Sequence, residues 1–240
     1  MLLLDAEHPH PKDVPPPNTF SIASYGHGMI PVSSLHIRSG RETIEALQSL
    51  FHALREKGVY NLQVCGGTVS KAQQLEEQLS ELRSQMKRTS VQKALGDVLG
   101  RTEWPGTGEM LGEHTVEMRF HSKESTDAFR NNAEETLLQI AWRHGFICTQ
   151  QGGADGKPYR LRYVGKAHAT AMTFLDLDLE SYLYFLHQTG SLTIEEHGKP
   201  KYLIVCKAMQ GTRVAFDLPV NACWEASLDN LGYAVVACTL

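Results

Sequence analysis

The sequence predicts an α+β fold of two ferredoxin-like or RNA-recognition-like halves with an inserted helical hairpin. Three observations predict it. A β–α–β pattern spans residues 33–67 and is echoed from His114 onward. Two consecutive amphipathic runs lie between these halves. The last third of the chain is rich in short apolar stretches of strand length. The implied division is an irregular arm over 1–19, an N-terminal βαβ half over 20–67, a helical hairpin with a glycine-rich loop over 68–113, and a C-terminal α+β half over 114–240.

The arm contains "HPHPKDVPPP". Its prolines remove backbone donors and favour extended chain, so His8 and His10 are expected on a solvated segment. "YGHG" marks a turn, and residues 33–37 alternate as a strand would. "GRETIEALQSLFHALREKG" is a helix, because Ile44, Leu47, Leu50, Phe51 and Leu54 recur at three- and four-residue spacing, with Gly58 as its stop. "VYNLQVCGG" reads as the next strand. Leu75, Leu79, Leu82 and Met86 give the first hairpin helix a narrow apolar stripe, and "SVQKALGDVLG" forms the second. "RTEWPGTGEMLGE" is loop.

"HTVEMRFHS" alternates Val116, Met118 and Phe120 against Glu117 and Arg119, a strand. "ESTDAFRNNAEETLLQIAWRHG" is a helix capped by Ser125 or Thr126 and closed by Gly145. "FICTQQGG" and "KPYRLRYVG" follow as strands. "ATAMTFLDLDL", "SLTIEE", "KPKYLIVCKA", "TRVAFDLPV" and "GYAVVACTL" complete the strand set, with "ESYLYFLHQTG" a short helix among them.

The bulk composition excludes several classes. A net charge of -4 over 240 residues argues against a globally basic nucleic-acid binder and leaves a local basic face open. None of the five cysteines stands in a C-x-x-C pair, so they read as small apolar residues in a reducing compartment. "MLLLDAEHPHP" turns acidic too soon for a signal peptide, and no apolar run is long enough for a membrane span. The expectation is a cytoplasmic protein that does not contact a membrane. No P-loop, dinucleotide fingerprint, G-x-S-x-G or H-E-x-x-H occurs, and no cofactor or metal is expected for the leading reading.

Local charge carries the functional reading. Lys157, Arg160, Arg162 and Lys166 form one acid-free island, and Lys199, Lys201, Lys207 and Arg213 form a second. Tyr159, Tyr163 and Tyr202 are interleaved with them. Cations that neutralise phosphates beside rings that stack on bases are what a sheet needs to hold single-stranded RNA. Arg83, Lys87 and Arg88 add a weaker cluster on the hairpin. Each island also fits the solvated face of a half-buried strand.

Two chemistries compete. Metal-independent RNA cleavage needs a base, an acid and cations for the developing charge. Tyr25 and His27 in the flexible turn, with His36, Arg38 and Arg41 near a helix N-terminus, are the candidate catalytic set. Alternatively, Asp176, Asp178 and Glu180 would share one face of a strand and hold Mg²⁺ for phosphotransfer or nuclease chemistry. A third reading is a non-catalytic protein-interaction factor of a phage or mobile element. The sequence leaves open whether the chain is an enzyme.

The order of parts resembles the endoribonucleases that process CRISPR transcripts, in particular those with a helical finger between two RNA-recognition-like halves. The resemblance rests on the βαβ unit of residues 33–67, the helical insert of 68–100 and the second half from His114. It implies a metal-independent RNase that stays bound to its RNA product and joins other protein subunits in a ribonucleoprotein.

Overall fold

The protein is described from a computed structural model, which places residues 18–99, 107–120, 127–152 and 157–240. Residues 1–17 of the expected arm over 1–19, the candidate caps Ser125 and Thr126, and part of the glycine-rich loop lie outside the described residues, and Thr19 already belongs to a strand.

Strand β1 (Thr19–Ser21) leads through the short α1 (Ile22–Tyr25) and pairs antiparallel with β2 (Arg38–Gly40). Helix α2 (Arg41–Glu56) starts directly from Gly40. It buries Ile44, Leu47, Leu50, Phe51 and Leu54, the residues its apolar spacing selects. Then come β3 (Leu62–Gly66), α3 (Lys71–Met86), α4 (Val91–Leu99), β4 (Thr115–Phe120), α5 (Asp127–Ala141), β5 (Phe146–Gln150) and β6 (Tyr159–Tyr163). The four strands form an antiparallel sheet in the order β3-β4-β6-β5. Helices α2 and α5 pack together over one of its faces. Leu47 and Leu137 meet Val64, Val116, Met118 and Leu161 there in one core.

Because side chains alternate along a strand, the residues between those core positions lie on the opposite, polar face. That face carries Thr115 and Glu117 of β4 and Arg160 and Arg162 of β6. It is bordered by α3 and by a 3₁₀ turn at Glu109–Leu111. Ser70 caps α3 by accepting from the Gln73 backbone N–H at 3.1 Å, and the Gln73 side chain in turn accepts from the Ser70 N–H at 2.7 Å.

Helices α6 (Lys166–Leu175) and α7 (Leu179–Thr189) follow, then β7 (Ser191–Glu196), β8 (Lys199–Ala208), β9 (Cys223–Leu228) and β10 (Tyr233–Thr239). These strands form a second antiparallel sheet in the order β7-β8-β10-β9. Both helices cover one of its faces, burying Met172, Tyr182, Leu183 and Leu186 against Ile204 and Val235. Among the described residues, no helix is long and apolar enough to cross a membrane.

Three segments differ from the sequence reading. Residues 33–37 are not a strand; Val32 makes a single parallel bridge to Val64, and the Ser34 side chain accepts from the His36 N–H at 3.3 Å. That local bond diverts the backbone from a ladder. "ATAMTFLDLDL" is mostly helix. Ala167, Ala171 and Met172 face the core at helical spacing, and Asp176 closes α6 in the left-handed conformation. Asp178 caps α7, accepting from the Ser181 N–H at 2.8 Å. "TRVAFDLPV" is loop with one bridge between Gln210 and Arg213, and the neighbouring strand is instead β9.

Candidate functional site

The polar face of the first sheet holds two ion pairs, one between adjacent strands and one from a strand to the 3₁₀ turn. Arg160 stands opposite Glu117 in the β4–β6 register and donates to its Oε1 at 3.1 Å. Arg162, opposite Thr115, donates to Glu109 Oε1 at 3.1 Å. Thr149 supplies the other oxygen of Glu109 with a 2.6 Å bond. Burial lowers the pKa of the Arg162 guanidinium, and the Glu109 carboxylate works against that. A buried ion pair with both carboxylate oxygens engaged is the arrangement in which desolvation is best offset.

The Glu109 turn is fixed from beneath. The backbone carbonyl of Glu113 accepts from the Gly40 N–H at 2.8 Å, from Ser39 Oγ at 2.9 Å and from Thr43 Oγ1 at 3.1 Å. The loop before β4 is thereby tied to the start of α2.

Two concavities flank the pairs. Around Arg160 and Glu117 lies a cleft of about 710 Å³ lined also by His36, Cys65, Thr68, Met110 and Gln150. The β3 edge is irregular there, with a register shift between Val64 and Gly66. A Cβ at Gly66 would meet Glu117 Oε2 at 2.8 Å, so the missing side chain lets Glu117 lie over the bulge. Burial pushes the Cys65 thiol up to about 11, which keeps it protonated at neutral pH. Around Arg162 lies a smaller cavity of about 360 Å³, reached by His114, Tyr163, His168 and Glu225. Burial, and then the Arg162 charge, pushes His114 down to about 4; burial alone does most of the same to His168, also down to about 4. Both rings are neutral at pH 7. His168 Nδ1 is 2.8 Å from the Tyr182 hydroxyl.

The predicted catalytic residues are partly brought together. The Tyr25 hydroxyl donates to Glu45 Oε1 at 3.3 Å, and Arg41 donates to the same oxygen at 2.9 Å. The His27 and Tyr25 rings lie 6.3 Å apart. Arg38 is turned away, donating to the Thr19 hydroxyl at 3.1 Å and to the Thr19 carbonyl. His36 lines the Arg160 cleft instead.

The predicted RNA-binding residues are dispersed. Arg83, Lys87 and Arg88 lie exposed at the far end of α3. Lys157 precedes β6 and Lys166 opens α6, both exposed, whereas Arg160 and Arg162 face glutamates. Lys199, Lys201 and Lys207 sit on the other sheet. Lys201 pairs with Glu196 at 2.5 Å, and Lys207 donates to the Ala215 carbonyl at 2.8 Å. Arg213 lies in the loop beyond β8, beside its bridge partner Gln210. Glu109, Glu117, Thr149 and Gln150 are site residues that sequence reasoning does not select. Alternation places Glu117 on the polar face, but its partner depends on a register that alternation does not reveal.

No protein-family model matches the chain. A D-alanyl-D-alanine carboxypeptidase of Enterococcus faecalis is 30% identical over 145 residues, which is 57% of this chain and 52% of that protein. One of Enterococcus faecium is 26% identical over 106 residues, 42% of this chain and 34% of its own length. The chain thus spans about a third to a half of the curated relatives it matches. Among solved structures, the vancomycin-resistance D,D-dipeptidase VanXYg, in complex with a D-Ala-D-Ala phosphinate analogue, aligns with a TM-score of 0.72 at 17% identity, covering 100% of this chain and 93% of that one. A mutant of the D,D-pentapeptidase VanY of the VanB-type cassette, in complex with Zn(II), aligns with a TM-score of 0.57 at 24% identity, covering 75% and 97%.

These likenesses overturn the resemblance to CRISPR endoribonucleases, and with it the RNA ligand and the ribonucleoprotein partners. The geometry explains the misreading, since the arginines that look like a phosphate-binding island have glutamate partners within the fold. The phosphotransfer and interaction-factor alternatives give way to the same likenesses; Asp176 and Asp178 serve as helix caps. Among the described residues, no three His, Cys, Asp or Glu side chains converge as a metal site would require. The chain shares its fold with these D-alanyl-peptide peptidases.

Proposed function

We propose that this chain engages the D-alanyl-D-alanine ends of peptidoglycan stem peptides in the cleft over the polar face of the first sheet. The observation that carries the proposal is the likeness of the whole chain to a D,D-dipeptidase structure holding a D-Ala-D-Ala analogue. The two curated relatives, both D-alanyl-D-alanine carboxypeptidases, support it independently from sequence.

The cleft suits such a ligand. A D-Ala-D-Ala end presents one carboxylate, one internal amide and two methyl groups. The Arg160 guanidinium can receive the carboxylate through charge-assisted bonds. Gln150 and Thr68 offer polar groups for the amide, and Met110 offers apolar surface for a methyl.

The test is a calorimetric titration with diacetyl-L-Lys-D-Ala-D-Ala and with its L-Ala-L-Ala counterpart. Saturable binding with preference for the D-form is the expected result. Absent binding, or equal binding of both forms, would overturn the reading.

A further inference from the structure

We infer that the fixed cation of this cleft is the Arg160 guanidinium in place of a divalent metal, so that a D-alanyl terminus is held there without being hydrolysed. The inference rests on the proposed ligand and concerns what the same cleft does with it.

The fold implies a metal, because a structure of the same fold contains Zn(II). The described residues of the cleft do not fit one. Zinc is held by four donors, or by three and a water, drawn from Cys, His, Asp and Glu. Among the described residues, the side chains of these types lining the cleft are Glu77, Glu81, Glu117, Cys65 and His36, and no three of this kind converge. Glu117 is already engaged by a cation, Arg160, at 3.1 Å. Both side chains are largely buried, 16% and 23% exposed, so water screens the pair little. A divalent ion at Glu117 would sit beside the guanidinium and be repelled by it.

The pair is built into the sheet. Arg160 and Glu117 are register partners on adjacent central strands. The glycine at position 66 gives the carboxylate room over the bulge. The Gln150 side chain, on the next strand, donates to the Pro158 carbonyl at 3.0 Å and fixes the entry to β6.

A guanidinium can replace a metal in binding and not in hydrolysis. It is planar, permanently charged, and has five N–H donors, so it can serve two carboxylates at once. Glu117 and a ligand carboxylate can therefore share it. It has no empty orbital for a water, so it cannot generate hydroxide at neutral pH as a metal does. Arginine stays protonated and supplies no base.

The experiment uses the chain as it stands. Metal content after dialysis against Zn(II) is measured by mass spectrometry. Binding and cleavage of diacetyl-L-Lys-D-Ala-D-Ala are then followed with EDTA and with added Zn(II). The expected result is zinc far below one per chain, peptide binding unaffected by EDTA, and no released D-alanine. Arg160→Gln should weaken peptide binding about 10- to 100-fold, the loss expected for hydrogen bonds to a charged group. Arg160→Lys, which keeps the charge and loses the fork, should weaken it less and serves if the Gln variant does not fold. Stoichiometric zinc, EDTA-sensitive binding, or zinc-dependent release of D-alanine would overturn the inference and leave the proposed ligand intact. Absence of both zinc and peptide binding would overturn the proposed ligand and this inference with it.

Discussion

Arg160 and Glu117 are partners across β4 and β6, 3.1 Å apart on the polar face of the sheet, opposite the face on which α2 and α5 build the core. Each places its charge beside the other in a largely desolvated position.

The first prediction follows from that dependence. Glu117→Leu removes the Glu117 carboxylate from a largely buried guanidinium and should cost about 2–4 kcal/mol in urea unfolding. Arg160→Met should cost a similar amount by stranding the carboxylate. The double variant Arg160→Met with Glu117→Leu should recover at least half of the summed loss, because both desolvation penalties disappear together. Additive single and double losses would show that the pair contributes no coupling.

The backbone under the pair gives the second prediction. A Cβ at Gly67 would run into the Arg38 carbonyl and would stand 2.9 Å from Ile37 Cγ2. Gly67→Ala must therefore displace main chain between β3 and the segment leading into β2. It should cost about 2 kcal/mol or more, in the range of overpacking substitutions. Gly96, within α4, faces open space, and a Cβ added there would meet nothing within 4 Å. Gly96→Ala should stabilise by about 0.5–1 kcal/mol through helix propensity. Melting of the two variants beside the parent separates close approach from propensity.

These local features also show what a reader of the sequence can reach. Helix α2 is legible because five apolar residues repeat at helical spacing and all are buried. Strand β4 is legible because Val116 and Met118 alternate with Glu117 and Arg119. The segment around Asp176 misleads because Leu175, Leu177 and Leu179 alternate by coincidence. The bond from the Ser181 N–H to Asp178 and the left-handed turn at Asp176 decide the outcome, and both are helix-end signals. Strand β9 escapes detection because most of its residues are exposed, which leaves no apolar alternation to find. The arginine island is visible as charge, but its partners lie 43 and 53 residues away in sequence. Only the fold joins them.

The third prediction concerns the C-terminal sheet. The Asp229 side chain, at the end of β9, is fully buried. Its Oδ2 lies 2.7 Å from His187 Nε2, and its Oδ1 accepts from the Tyr233 N–H at 2.8 Å and the Leu231 N–H at 3.0 Å. The His187 ring stacks on Tyr233 with centroids 3.7 Å apart. One carboxylate thus closes the β9–β10 turn and anchors α7. Asp229→Ala should cost about 2–4 kcal/mol, because it leaves the Tyr233 and Leu231 N–H groups and the His187 ring without their acceptor. Asp229→Asn keeps an acceptor and should cost less. Hydrogen exchange should show the loss first in β9, β10 and the end of α7.

The last prediction is a pH dependence. His168 is buried between α6 and α7, and burial holds it down to about 4 from its ordinary value of 6.5. The unfolded chain therefore binds a proton at this ring between pH 6.5 and 4 while the folded chain does not, so stability rises with pH across that window. The contribution is complete above about pH 6.5 and is lost as pH falls through the window, amounting to about 3 kcal/mol at one pKa unit per 1.36 kcal/mol. His114 shifts in the same direction, so the parent protein will carry both effects. His168→Gln removes one of them while keeping a polar group within reach of the Tyr182 hydroxyl. Urea unfolding of parent and variant at pH 7.5 and pH 4.5 makes the comparison. The parent should lose more stability on acidification than His168→Gln does, by about 2–3 kcal/mol. An equal loss in both proteins would mean that His168 accepts its proton in the folded state.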